Sequence, residues 1–220
     1  MFIVCLIPAY NEARHISGVV KSVRSFVNEV VVIDDGSTDE TATRAKEAGA
    51  TLLKHVVNRG QGAALRTGSK YALARGADII VHFDADDQFQ AEEIPALTAP
   101  LIAGQAAAVL GSRFLAKKSA LPWQKRLVVW PLARLVNRWL FKIRLSDPQS
   151  GFRAFSRETA EKIQIESDGM AHCSEILYQL FKYKIPLLEV PITVRYHDYG
   201  QGFGGGLKII GELIIRKIIK

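Results

Sequence analysis

The chain has 220 residues, 48% apolar and 23% charged, with 29 Lys and Arg against 22 Asp and Glu. That length suits one domain with a buried core, and the composition excludes a disordered chain, a collagen and a fibre. Two cysteines, Cys5 and Cys173, are too few for a disulfide scaffold or a four-thiolate zinc site and suit a reducing compartment.

The net charge of +7 is unevenly spread. Residues 94–146 hold nine cations and no acid, so the remainder of the chain carries −2. A basic stretch this local points to a polyanion, either nucleic acid or an anionic membrane surface. The start, Met-Phe-Ile-Val-Cys-Leu-Ile-Pro, lacks a basic n-region and reaches Pro8 too early to read as a signal peptide. No run of 18 apolar residues is present to span a bilayer.

In chain order, short apolar runs at 3–7, 29–33, 51–57, 79–83 and 106–110 read as strands buried on both faces. Helical patterns fill the gaps, at 12–27, 38–48, 62–75 and 92–102, with Ser37-Thr-Asp-Glu and the acids from Asp87 onward as capping chemistry. This alternation predicts an α/β fold with a doubly wound, mostly parallel sheet and ligands at the carboxyl ends of its strands. Beyond residue 115 the pattern changes. Residues 121–143 are apolar, aromatic and cationic, and Pro122 and Pro131 break them into short helices. A strand is expected at 150–155, a helix at 173–184 and an edge strand at 187–196. Residues 207–220 form a last amphipathic helix, 14 residues long and too short to span.

Polar clusters directly follow three strands. Asp84-Ala85-Asp86-Asp87-Gln88 places two carboxylates two positions apart, where the chain leaves regular structure and both can turn onto one divalent cation. Gln88 adds a neutral oxygen, and Mg²⁺ or Mn²⁺ suits such a site, leaving positions open for a nucleotide diphosphate. The competing reading is a set of helix-capping acids. Asp34-Asp35-Gly-Ser-Thr-Asp39 allows a carboxylate to meet a ribose or a base N–H. In Pro8-Ala-Tyr10-Asn-Glu12 the phenol can stack on a base and Glu12 can bond a ribose. Asn58-Arg-Gly60-Gln-Gly62 invites a dinucleotide reading, but Leu65 takes the place of the third glycine. A P-loop motif is missing as well.

Taken together, Pro8-Ala-Tyr-Asn-Glu12, Val32-Ile-Asp-Asp-Gly-Ser-Thr-Asp39, Asn58-Arg-Gly60, Phe83-Asp-Ala-Asp86, Gly111-Ser-Arg113-Phe114 and Ser150-Gly-Phe152 follow the order and spacing of family 2 glycosyltransferases. Over residues 2–196 the chain most resembles their polyprenyl-phosphate branch, which includes dolichol-phosphate mannose synthase. The resemblance implies one GT-A domain over 1–206, with an interfacial helical segment at 121–143 and the appended helix at 207–220. It also implies inverting transfer from a nucleotide sugar with Mg²⁺ or Mn²⁺. Pro8, Tyr10, Glu12, Ile33 and Asp35 would then hold the nucleoside. Asp84, Ala85, Asp86 and Gln88 would hold metal and diphosphate, Arg113 would meet the phosphates, and Ser150 and Gly151 would line the sugar or acceptor side.

A lipid-phosphate acceptor is already anionic near neutral pH and needs cations more than a base. A sugar-hydroxyl acceptor, the alternative, requires a carboxylate base, with Asp147 the first candidate and Glu175 the second. The family's Arg and Lys after E-V-P-I align here with His197 and Phe203, leaving Arg195 and His197 as the cations of that side.

All three tryptophans, Trp123, Trp130 and Trp139, fall in the basic segment, with Arg134, Arg138 and Lys142 on one helical face. That pairing suits an anionic membrane surface, and no recognition motif supports nucleic acid. The expectation is a peripheral enzyme on the cytoplasmic face of the membrane, with a small membrane subunit as a further candidate partner.

Overall fold

The computed structural model describes residues 1–115 and 145–195. The segment expected at the interface, 121–143, together with His197 and the helix at 207–220, lies outside the described residues. Seven strands form one sheet: β1 (Ile3–Ala9), β2 (Glu29–Asp34), β3 (Thr51–Lys54), β4 (Ile79–His82), β5 (Ala108–Ser112), β6 (Arg153–Ser156) and β7 (Leu187–Pro191). Their order is β3-β2-β1-β4-β6-β5-β7. Every pairing is parallel except those of β6, which runs antiparallel to both β4 and β5. The sheet is therefore mostly parallel, as the alternation predicts.

Helices cover both faces. α1 (Ile16–Val23), α2 (Thr41–Glu47) and α4 (Ile94–Ile102) pack on one face, and α3 (Gln61–Ala74), α5 (Arg157–Lys162) and α6 (His172–Lys182) pack on the other. Alternation along β1 divides the core: Cys5 and Ile7 join Val20 and Leu97, whereas Val4 and Leu6 join Leu65 and Ile176. Each fully buried aliphatic side chain contributes on the order of 1.5–3 kcal/mol, so this two-faced burial is what fixes the register of the sheet. Among the described residues no helix is long and apolar enough to cross a membrane.

Several elements are shorter than their sequence patterns. The strand expected over 51–57 ends at Lys54, because the Asp35 carboxylate draws in the following loop by accepting the N–H groups of Arg59 and Gly60. Val56, β-branched and strand-like by type, is 97% exposed. The strand expected from 187 to 196 keeps its edge position but ends at Pro191. α5 is an element the patterning passes over. Its start is capped by the Ser156 hydroxyl, which accepts the Thr159 N–H.

β1 has β2 on one side and β4 on the other. The chain winds outward from β1 to β3, then returns to place β4 on the opposite flank. The crevice at the carboxyl ends of β1 and β4 is thus the topological switch point, where open α/β sheets hold ligands.

Candidate active site at the switch point

Three strand-end segments meet at this crevice. The segment after β1 is zipped to the segment after β2: the Asn11 N–H donates to Ser37 Oγ at 2.9 Å, Thr38 N–H to Asn11 Oδ1 at 3.0 Å, and Glu12 N–H to Thr41 Oγ1 at 2.8 Å. Asn11 adopts a positive φ of 56° to make this turn. Tyr10 is left 46% exposed, and the Glu12 carboxylate pairs with His15 at 3.1 Å. Pro8 sits within β1 beside Ile33.

The metal motif follows β4. Asp84 accepts a hydrogen bond from Gln61 Nε2 at 3.0 Å, and Asp86 Oδ1 accepts the Gln88 N–H at 3.2 Å. Burial, then the charge of Asp86, raises the Asp84 carboxyl to about 6 against the opposing pull of Arg153, His172 and Gln61. Burial also raises Asp86, and Glu12 adds to that. Two desolvated acids, one raised by the charge of the other, are a pair that gains from a nearby cation. Gly151 completes the fit, since a Cβ there would come within 2.6 Å of Asp84 Oδ2. Only a glycine lets this backbone approach the carboxylate so closely. Among the described residues no group of three His, Cys, Asp or Glu side chains gathers to cage a metal. The two desolvated carboxylates Asp84 and Asp86, with the oxygen of Gln88, are donors of the kind that would hold Mg²⁺ or Mn²⁺, with a diphosphate and water to supply further ligands.

Beneath Asp84 lies a buried polar group that the sequence reasoning missed. Register pairs His82 of β4 with Arg153 of β6, which puts both side chains on the α6 face. Arg153 is 1% exposed and donates through Nε to the Ser150 carbonyl at 2.6 Å. Burial, then Arg153 and His172, lower His82 to about 3, so its ring is neutral. Burial opposes ionisation of Cys173, yet Arg153 and the hydrogen bond from His172 carry its thiol down to about 7. One signal was readable in Gly-Phe-Arg-Ala-Phe: an arginine at a position where strand alternation puts a core residue.

The expected site residues fall out unequally. Ile33 is fully buried against the second core cluster, so its side chain shapes the crevice wall without facing a nucleoside. Asp35 is 3% exposed and already engaged by His55 Nδ1 at 2.6 Å and by the Arg59 and Gly60 N–H groups. Its carboxylate therefore holds the 55–60 loop in place. Ala85 and Ser150 are buried, and the Ser150 hydroxyl has no hydrogen-bond partner among the described residues.

Asp147, the first candidate base, is 1% exposed and gripped by Arg113. The Arg113 N–H and Nε meet Oδ2 at 3.1 and 2.6 Å, and Nη2 meets Oδ1 at 2.7 Å. Glu175, the second, accepts the N–H groups of Glu166 and Ser167 and so braces a loop rather than lining the acceptor side. Arg195 does reach the metal motif, its N–H donating to the Gln88 carbonyl at 2.9 Å. Gly60 and Gly62 explain the false dinucleotide signal. A Cβ on either would collide with the Asp168 or Ser167 carbonyl, so both are there for close backbone packing.

Known proteins give the same picture. The profile of glycosyl transferase family 2 matches residues 4–164. The UDP-N-acetylglucosamine–dolichyl-phosphate N-acetylglucosaminyltransferase of Methanococcus voltae is 32% identical over 98% of this chain and 96% of its own length. The polyprenol monophosphomannose synthase of Mycolicibacterium smegmatis is 32% identical over 93% and 81%. Among solved structures, glucosyl-3-phosphoglycerate synthase from Mycobacterium tuberculosis, crystallised with Mn²⁺, UDP and phosphoglyceric acid, superposes with a TM-score of 0.76 at 26% identity. The match covers 98% of this chain and 78% of that one. The architecture is the GT-A fold expected from the motifs, and the chain belongs to glycosyl transferase family 2.

Proposed function

We propose that the protein moves a sugar, with inversion, from a nucleotide-diphosphate sugar to a polyprenyl phosphate at a Mg²⁺ or Mn²⁺ centre formed by Asp84, Asp86 and Gln88. Its two relatives are named for transfer to dolichyl or polyprenol phosphate, which supports this acceptor class. The observation that carries the reading is the engagement of both candidate bases. Asp147 is locked to Arg113, and Glu175 is spent on backbone N–H groups. A sugar hydroxyl needs a base to remove its proton. A phosphate, with a second pKa of about 6, arrives already ionised.

In this reading Pro8, Tyr10 and Glu12 receive the nucleoside, with Asp35 acting through Arg59 and Gly60. The bound cation would stabilise charge on the departing nucleotide diphosphate. Arg113, aimed by Asp147, brings the phosphates together for in-line attack. Ser150, Gly151, Arg195 and His197 form the acceptor side. The chain is one GT-A unit over 1–206. Its tryptophan-rich basic segment at 121–143 and the amphipathic sequence at 207–220 seat it on the anionic cytoplasmic face of a membrane, where a small membrane subunit can join it. Incubation with UDP- and GDP-sugars, Mn²⁺ and a short polyprenyl phosphate is expected to give a lipid-linked sugar. Product on free sugar hydroxyls, with none on the lipid phosphate, would overturn the assignment.

A further inference from the structure

A cavity of about 480 Å³ opens on the α3 and α6 face of the sheet. Close-packed interiors rarely leave voids larger than a water molecule, whereas small-molecule sites run to roughly 300–1,000 Å³. The floor is apolar: Ile80 of β4, Phe155 of β6 and Ile176 of α6, each at most 2% exposed. At the deep end stands His82, 4% exposed. Its ring packs edge-on against Phe155 at 5.2 Å between centroids, and neither nitrogen has a hydrogen-bond partner among the described residues. Neither nitrogen is among the fully buried atoms left without a partner, so the ring keeps a polar edge open to the cavity for a ligand atom to meet.

The mouth is charged. On the α3 side Lys70 is exposed and makes no ion pair among the described residues, and Ser69 stands beside it. Glu166 lines the opposite rim, and Glu161 there is paired with Arg157 at 2.9 Å. Glu166 disfavours an anion on its own side of the mouth, so Lys70 marks the side where an anionic group is held.

We propose that this cavity is a second ligand site, for a small amphiphilic anion. Its ring-sized apolar body rests on Ile80, Phe155 and Ile176, one polar atom meets His82, and the anionic group meets Lys70. The walls are joined to the donor site. Arg66 donates through Nη1 to the Ile165 and Glu166 carbonyls at 3.1 and 3.2 Å and pairs with Asp168 at 2.5 Å. The Asp168 carbonyl accepts the Ala63 N–H at 3.1 Å, within the same turn of α3 as Gln61, the donor to Asp84. His82, the last residue of β4, precedes Asp84 by two residues. Occupancy of the cavity therefore bears on Gln61, the hydrogen-bond donor to Asp84, and on the strand end from which Asp84 follows. This coupling rests on the donor site proposed above, whereas binding to the cavity stands without it.

The test is a fluorescence titration of the full chain with 8-anilinonaphthalene-1-sulfonate, which joins two aromatic groups, an N–H and a sulfonate. The expected result is saturable binding at one site per chain that persists in saturating UDP and Mn²⁺. Ser69→Trp fills the mouth and is expected to abolish binding. Lys70→Glu, a surface change, is expected to weaken it about tenfold through one lost ion pair and one new repulsion. Thermal melts establish that both variants are folded. No binding by the wild type, equal binding by both folded variants, or displacement by UDP with Mn²⁺ would each overturn the proposal. Because no sugar transfer is read, failure here leaves the proposed activity standing, and failure of that activity leaves this site standing.

Discussion

Asp147→Asn separates a positioning carboxylate from a catalytic base. The amide keeps the shape of the side chain, removes its charge and replaces one acceptor oxygen with a donor that faces the Arg113 guanidinium. Two side-chain bonds of 2.6 and 2.7 Å are affected. Hydrogen bonds to charged groups are worth about 1.5–3 kcal/mol, and breaking a fully buried ion pair costs about 3–5 kcal/mol. Asp147 is buried, but the Arg113 side chain is 27% exposed and regains some water. The lower part of the range, about 2–3 kcal/mol, is therefore the better estimate. For a chain of this length that lowers Tm by roughly 4–12 °C. A misaimed Arg113 is expected to reduce kcat/KM for a polyprenyl-phosphate acceptor by about 10- to 100-fold. Arg113→Met should lose a similar amount, and the double variant should lose little more, since the pair acts as a unit. The assay is thermal unfolding together with initial rates on one preparation of each variant. A fall in kcat beyond about 10³-fold with Tm unchanged would make Asp147 the base, point to a hydroxyl acceptor and refute the argument.

Four further outcomes follow from the carboxylate pair. Asp84→Asn and Asp86→Asn should each weaken Mn²⁺ binding, read by calorimetry in the presence of UDP, by at least about tenfold; unchanged affinity would remove these residues from the metal site. Asp84 is raised from 3.8 to about 6 in the folded protein, so the folded state holds its proton more tightly than the unfolded chain does. Its contribution favours folding at low pH and is lost as pH rises from about 4 to 6, so the Tm of Asp84→Asn should gain on that of the wild type across this window. Mn²⁺ must displace the proton below pH 6, so its apparent affinity should fall by up to about tenfold per pH unit there and level off above; a flat profile from pH 5 to 7 contradicts the shift. Gly151→Ala would drive a methyl group to 2.6 Å from Asp84 Oδ2, and because Gln61 holds that carboxylate it cannot swing away cheaply. Mn²⁺ affinity should fall about tenfold or more while Tm changes by only a few degrees; a variant that binds Mn²⁺ normally would show that the approach is not needed.

What could be read from the sequence was whatever local chemistry determines. An acid immediately after a buried strand of a parallel sheet lies at the ligand-bearing end, so the place of Asp84 and Asp86 in the fold is legible in the sequence. β6 was harder. It is four residues long and pairs antiparallel between β4 and β5, a long-range choice with no local signature. The role of Asp147 was equally hidden, since its partner Arg113 is 34 positions away and carboxylates look alike until their neighbours are known. Asp35 misled for the opposite reason. It sits where a nucleoside-binding acid belongs, yet its oxygens are filled by His55 and by the N–H groups of Arg59 and Gly60, contacts some 20 to 25 positions away that nothing local announces.

The segment from β7 onward shows how distant parts of the site come into register. Glu189 accepts the N–H groups of Ser146 and Asp147 at 2.9 and 3.1 Å, fixing the loop that presents Asp147 to Arg113. A few residues later the Glu93 carboxylate accepts the Thr193 N–H at 2.9 Å, and Arg195 donates to Gln88. Val194 bridges antiparallel to Phe89, which packs on Phe152 and Phe83. One extended strip thus binds the metal loop at one end and the Arg113–Asp147 pair at the other. The two glutamates work in opposite senses: Glu189 is a side chain of the strip that holds the 146–147 loop, whereas Glu93 lies outside it and fixes the strip through the Thr193 N–H. Arg195 is likewise placed through its backbone N–H, which leaves its side chain out of that anchoring.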